Sequence, residues 1–123
     1  MVYYSPTAYE NSELFAVRIV NMYKYLTNNF HEYDLFKQVL RSGTSIAANL
    51  AESEYAISKR EFLFKKKIAL KEANETRLWL RLLYKTGYIQ KESFDSIYKD
   101  CNDIFWMLHS SVKTLQEEID QIN

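Results

Sequence analysis

The side chains that could carry catalysis or bind a metal are few and lie far apart in the sequence. A di-iron site inside a helical bundle needs Glu-x-x-His pairs, and neither His31 nor His109 has a carboxylate or second histidine at that spacing. The single cysteine, Cys101, falls on an apolar stripe, where a free thiol behaves as a small hydrophobe. The sequence also has no glycine-rich phosphate loop, nucleophile elbow or zinc-ligand spacing. We therefore expect no enzyme active site and no cofactor.

Basic residues are concentrated in residues 59–85, a segment that we predict to be a helix. It contains nine Lys and Arg residues but only three glutamates. One stripe, about 80° wide on a helical wheel and called here the basic ridge, holds Arg60, Lys67, Lys71, Arg81 and Lys85. Such a ridge could neutralise several phosphates and give salt-sensitive, sequence-independent binding to RNA or DNA. The alternative is that these side chains are only solvated or pair with an acidic neighbour.

The same segment has more apolar surface than one helix contact can use. Its first apolar face consists of Phe62, Ala69, Ala73, Leu80 and Leu83, and the second consists of Phe64, Ile68, Trp79 and Leu82. Because large exposed apolar patches mark interaction sites, we expect the first face in the core and the second against another copy of the chain. Repetition of the basic ridge around a ring would create a multivalent surface for a polyanion.

The preceding segment combines small residues with a polar stripe. Gly43 and Ala47 lie four residues apart, which predicts close packing, since a mid-helix Gly otherwise costs about 1 kcal/mol relative to Ala. The polar stripe includes Arg41, Ser45, Asn49 and Glu52. Arg41 and Glu52 lie about 16 Å apart along a helix axis, so they cannot pair with each other. The stripe is either a solvated face or a structural polar network, in which buried charges need partners from another helix or subunit.

Four amphipathic segments must position these side chains. Apolar residues at three- and four-residue steps predict helices from Ser12 to about Asn28 and from about Tyr33 to Ser53. The Ser58-x-x-Glu61 capping box starts a third helix, which Gly87 ends, and a fourth follows Ile89. Short connections predict an all-α, antiparallel up-down four-helix bundle. Residues 1–11 are predicted to be an N-terminal arm, and residues 12–123 a single domain.

Composition supports one small helical domain. The chain has 123 residues, with 47% apolar residues, two glycines and one proline, which excludes a disordered or turn-rich β protein. Sixteen basic and sixteen acidic residues cancel, so any electrostatic function must arise from their distribution. The sequence contains no uninterrupted run of about 18 apolar residues, so we expect no membrane span. A lone cysteine and the absence of a signal-peptide pattern predict a cytoplasmic protein.

The second and third segments resemble a known family. Residues 40–62, LRSGTSIAANLAESEYAISKREF, and residues 68–89, IALKEANETRLWLRLLYKTGYI, are similar to proteins encoded in intervening sequences of bacterial 23S rRNA genes. That family has the pattern Arg-x-x-x-Ser-Ile-x-x-Asn-Ile/Val-x-Glu, matched by Arg41, Ser45, Ile46, Asn49, Leu50 and Glu52. Its Ser-x-x-Glu-Phe helix start is matched by Ser58, Glu61 and Phe62.

The resemblance implies four-helix bundles assembled into homopentameric rings without known enzymatic activity. It also implies kinship with accessory proteins of diversity-generating retroelements, which bind nucleic acid and a reverse transcriptase. Two hypotheses follow for this chain. It is either a ring-forming module that binds RNA or DNA through the basic ridge, or a structural or protein-interaction scaffold that binds no nucleic acid.

Overall fold

Four helices account for nearly all of the residues 6–122 that the computed structural model describes. They are α1 (Pro6–Asn29), α2 (Tyr33–Ser53), α3 (Lys59–Lys85) and α4 (Lys91–Ile122). No strand occurs between Pro6 and Ile122. The predicted all-α four-helix fold is confirmed, and the predicted bounds of α2 are confirmed at both ends.

Contacts between the helices define the directions in which they run. α2 packs against α1 and α3, α3 packs against α4, and α1 touches α4 over a shorter stretch. Arg41 pairs with Glu72 while Glu52 pairs with Lys65, so α2 and α3 are antiparallel. Hydrogen bonds from Lys67 to Gln116 and from Arg81 to Tyr98 show the same for α3 and α4. Antiparallel neighbours are what an up-down bundle requires.

The first helix begins earlier than predicted, at Pro6. The predicted N-terminal arm is therefore wrong over residues 6–11, whereas residues 1–5 lie outside the described part of the chain. Proline is compatible with a first helical turn because the N–H that it lacks would have no intrahelical partner there. Ala8 and Ser12 are buried, so they extend the stripe of Phe15 and Ile19 toward the N-terminus. The Ser12 hydroxyl donates to the Ala8 carbonyl at 2.9 Å.

Side-chain and glycine caps fix the ends of α3. The Ser58 hydroxyl accepts from the Glu61 N–H at 3.0 Å, while the Glu61 carboxylate accepts from Ile57 instead of Ser58. At the other end Gly87 has φ of 88°, in the left-handed region. Its N–H bonds to Tyr84, and the Tyr88 N–H bonds to Leu83, forming a Schellman motif. Both predicted ends are confirmed.

One buried face from each helix forms the core. The whole predicted core face of α3 is buried: Phe62, Ala69, Ala73, Leu80 and Leu83. The stripe of α4 is buried at Ile97, Cys101, Ile104, Leu108 and Leu115. Phe94 is only half-buried and Ile122 is exposed, so this stripe is shorter than the sequence predicts.

Gly43 allows α1 and α2 to approach closely, as the small-residue pattern predicts. A Cβ atom at this position would lie 2.8 Å from Cγ1 and 2.9 Å from Cγ2 of Ile19. Both atoms belong to a fully buried, β-branched side chain, which has little room to move. Glycine is therefore required by the distance between the helices.

The Gly43→Ala substitution should lower the free energy of unfolding by about 1–3 kcal/mol through overpacking. Ala has a higher helix propensity than Gly, which alone would raise the free energy of unfolding by about 1 kcal/mol. We expect overpacking to be the larger effect, so the net change should be destabilising. Urea denaturation would measure it. In an Ile19→Ala background, which removes the clashing atoms, the same change should stabilise the protein. Stabilisation by Gly43→Ala alone would contradict the close approach.

Cys101 lies in the core, where its thiol donates to the Ala73 carbonyl at 3.6 Å. Burial raises the pKa of this thiol to about 12, although Arg77 and Arg81 act in the opposite direction. Since the thiolate is the reactive form, the folded protein holds this cysteine unreactive at neutral pH.

Cys101 should resist thiol reagents at pH 8 until the protein unfolds. Because its pKa is raised on folding, the unfolded state loses the thiol proton first. The free energy of unfolding should then fall by about 1 kcal/mol per pH unit above the unperturbed pKa of 9.0. Denaturation of the wild type and a Cys101→Ala variant in parallel would isolate this dependence from titrating Lys and Tyr side chains. Rapid, stoichiometric labelling of the folded protein would contradict it.

Candidate nucleic-acid interface

The charges of α3 are separated between its two edges. Glu72 and Glu75 lie on the edge that faces α2, where both pair with Arg41. The opposite edge faces α4 and carries basic residues, since Lys67 donates to Gln116 at 2.8 Å and Arg81 donates to Tyr98 at 3.0 Å. The helix therefore has an acidic edge whose carboxylates pair with Arg41, and a basic edge on which Lys67 and Arg81 bond to uncharged groups.

The basic ridge has no carboxylate partner among the residues that the structure describes. Arg60, Lys71 and Lys85 are exposed, and the partners of Lys67 and Arg81 are a neutral amide and a phenol. Across residues 6–122, no Asp or Glu oxygen lies within 4.0 Å of these five cationic groups. By contrast, the neighbouring Lys59 and Lys65 form ion pairs with α4 and α2. The basic groups of the ridge are thus not neutralised by a carboxylate of these residues.

Arg77 extends the basic edge, although the helical wheel places it outside the predicted stripe. Its guanidinium carbon lies 3.5 Å from the centre of the Phe105 ring. The same group donates to Asn102 at 2.9 Å and to Asn74 at 2.7 Å, while its buried Nε atom has no hydrogen-bond partner. The i, i+4 spacing of Arg77 and Arg81 is the sequence signal that could have identified it.

Three neighbouring rings of α4 lie beside this edge and were not predicted as functional. Phe105 and Trp106 are in edge-to-face contact, with centroids 5.0 Å apart. His109 lies 5.2 Å from Trp106, and Trp106 is 52% exposed. The available signal was that Trp106 falls outside the apolar stripe formed by Ile104 and Leu108.

The polar stripe of α2 divides into two kinds of residue. Arg41 and Glu52, at its ends, pair with Glu72, Glu75 and Lys65 of α3. Ser45 and Asn49, between them, donate to carbonyls of their own helix. The Trp79 indole also donates to Glu75 at 3.1 Å. The end residues thus join α2 to α3, while the middle residues do not.

The second apolar face of α3 is unevenly exposed. Phe64 is 59% exposed, whereas Ile68 and Leu82 are half-buried and Trp79 packs partly against the core. Leu78 adds exposed apolar surface next to this face. The four residues predicted as an interface therefore do not form a uniformly free surface.

A second exposed apolar surface occurs on α1, where Leu14 is 67% and Val17 is 52% exposed. Both line a hollow of about 640 Å³ between α1 and α4. Arg18 separates this hollow from a second one by donating to Ser96 and, at 2.5 Å, to Asp100. This open side of the bundle was not predicted.

The remaining titratable side chains do not form a recognisable catalytic or metal site. His31 contacts Tyr33 in the α1–α2 connection, far along the sequence from the rings around His109. Over the described residues, no three His, Cys, Asp or Glu side chains are grouped as metal ligands. Lys66 is buried with its amine 5.1 Å from the Phe62 ring, and burial lowers the pKa of this amine. None of the helices described combines the length and hydropathy of a membrane span.

Comparison with known proteins gives the chain's relatives. Among curated proteins, none matches the sequence significantly. A crystal structure of a protein of unknown function from Bacteroides thetaiotaomicron, of the S23 ribosomal protein family, is 51% identical with a TM-score of 0.84. The match covers 86% of this chain and 98% of that one, and no enzyme family is indicated. Residues 6–110 match the 23S rRNA-intervening sequence proteins, and the chain belongs to this family.

Proposed function

We propose that the protein is a non-enzymatic, cytoplasmic homo-oligomer, with a pentameric ring as the expected assembly, and that it binds RNA or DNA through the basic ridge. The observation that carries nucleic-acid binding is the absence of carboxylate partners along the ridge within residues 6–122. The chain's one thiol, Cys101, is buried in the core, which agrees with a function other than thiol catalysis.

Unpaired cations are the groups that exchange small counterions for phosphates. Six basic residues elsewhere are already neutralised by carboxylates: Arg18, Arg41, Lys59, Lys65, Lys91 and Lys99. The ridge is different because its cations follow one helix and reach solvent. A phosphate chain placed there would release counterions, which makes binding dependent on salt.

Two exposed apolar faces support assembly into a ring. α1 and α3 are diagonal in the bundle and their backbones do not approach closely, so their outer faces point in opposite directions. Leu14 and Val17 lie on one face, and Phe64 and Leu78 on the other. Contact between two different faces of identical subunits is heterologous, and it produces a ring when the rotation closes.

A scaffold that binds no nucleic acid is the second candidate, and the charge balance favours it. The chain has 16 basic and 16 acidic residues, and α4 places Glu117, Glu118 and Asp120 near one end of the basic helix. This candidate keeps the ring but not the salt-sensitive binding.

Light scattering should show an assembly several times larger than the 14.7 kDa chain. Phe64→Asp and Leu14→Asp should each break it, because a carboxylate would be buried in the contact. A mixture of the two variants should form dimers, since each retains the face that the other has lost.

Ile57→Asp is the matched control, because Ile57 is 93% exposed in the α2–α3 connection and belongs to neither face. It should leave the assembly unchanged. A wild-type monomer would contradict the ring, and failure of the mixed variants to associate would contradict a heterologous contact.

Lys67→Glu/Lys85→Glu should weaken binding to labelled RNA or DNA at about 50 mM salt and reduce the salt dependence. A plot of log K against log salt has a negative slope, and loss of two phosphate contacts should make this slope shallower by about 1.4 to 1.8. Fluorescence anisotropy over a salt series would measure both effects.

Lys24→Glu/Lys37→Glu makes the same change in net charge away from the ridge and serves as the control. Circular dichroism and light scattering would establish that both variants retain fold and assembly. Equal weakening by the two variants, or no detectable binding by the wild type, would favour the scaffold.

A further inference from the structure

We infer that the seam between α3 and α4 binds unpaired bases of single-stranded nucleic acid, with Trp106 as the stacking platform beside the cations of α3. This inference rests on the proposed function and specifies its ligand. Stacking on aromatic side chains next to a positively charged groove is a general mode of single-strand binding.

Trp106 has the exposure and support that a stacking platform needs. Its residue is 52% exposed, although the flanking Ile104 and Leu108 are buried. Phe105 and His109 contact it at interplanar angles of 85° and 65°, so neither ring stacks on its face. Because the residue is half exposed and neither neighbouring ring is parallel to it, the indole offers surface on which a base could stack.

The register between the helices places this platform beside the basic edge. Arg77 bonds to Asn102 at 2.9 Å, and Lys67 bonds to Gln116 at 2.8 Å. Trp106 and His109 lie between Asn102 and Gln116 in the sequence, so in an antiparallel pair they are level, along the bundle axis, with the part of α3 between Lys67 and Arg77. That part contains Lys71 and Asn74. Bases on the rings and phosphates along α3 can thus be bound together.

Acidic residues leave the centre of the seam open to an anion. Those of α4 are concentrated at its ends: Glu92 and Asp95 at the start, and Glu117, Glu118 and Asp120 at the finish. Asp100 is paired with Arg18 on the α1 side, and Asp103 is paired with Lys99. No unpaired carboxylate of α4 therefore lies between Asp95 and Glu117.

An aromatic platform distinguishes single strands from duplexes. In a duplex the base faces are covered by neighbouring bases, so only phosphates could reach the seam. A single strand offers both groups, and stacking is tolerant of sequence because every base has a π-face. Duplex binding would use the cations alone.

The test compares Trp106→Ala with the wild type on labelled oligo(U), oligo(dT) and a blunt duplex of about 20 base pairs at about 50 mM salt. Trp106→Ala should weaken binding of the single strands about 5-fold or more and leave the duplex within about twofold. Trp106→Phe should retain most of the affinity. Tyr55→Ala is the matched control, because Tyr55 is an exposed aromatic away from the seam.

Tryptophan emission gives a second measurement. In a Trp79→Phe variant, the remaining Trp106 should be quenched by either single strand but not by the duplex. Quenching by both oligo(U) and oligo(dT) would support recognition of bases in general. Quenching by only one of them would support the inference and show whether the ligand is RNA or DNA.

The outcomes separate this inference from the proposed function. If Lys67→Glu/Lys85→Glu weakens binding but Trp106→Ala does not, the stacking site is overturned and the basic ridge stands. Equal quenching by duplex and single strands would also overturn it. If the wild type binds none of the three probes, both the proposed function and the stacking site are wrong.

Discussion

Burial of the apolar face of α3 determines how charge is distributed over the bundle. With Phe62, Ala69 and Leu80 in the core, one edge of this helix lies against α2, where Glu72 and Glu75 pair with Arg41, and the other edge lies against α4. Arg41 is 49% exposed on its side chain, and pairs of this kind contribute about 1 kcal/mol or less to stability. They neutralise the acidic edge of α3, whereas the buried apolar face sets the orientation of the helix.

Much of the fold could be predicted because it depends on local patterns. The ends of α3 follow from Ser58 with Glu61 and from Gly87, whose effects act over one helical turn. The close approach at Gly43 follows from a small residue on an apolar face. The start of α1 was predicted at Ser12 instead of Pro6 because Ala8 is a small residue, whose burial depends on tertiary packing that spacing along one helix does not reveal.

The candidate site was predicted less completely because it lies between two helices. A helical wheel gives the angular position of a cation but not its partner, so it placed Lys67 in the basic ridge without showing that this amine bonds to Gln116. Arg77 was missed since its place depends on Phe105 and Asn102, which belong to another helix. Trp106 was missed because the sequence does not show which side chains surround an aromatic residue that lies outside the core stripe.

The contact of α1 with α4 has a consequence for the order in which the molecule is built. The other helix contacts join elements that follow each other in the chain, so α1, α2 and α3 can associate during synthesis before α4 is complete. α4 then covers the core and is joined to α1 by Arg18, Ser96 and Asp100. The seam between α3 and α4, like the contact of α1 with α4, requires α4 and cannot exist before that helix has been synthesised.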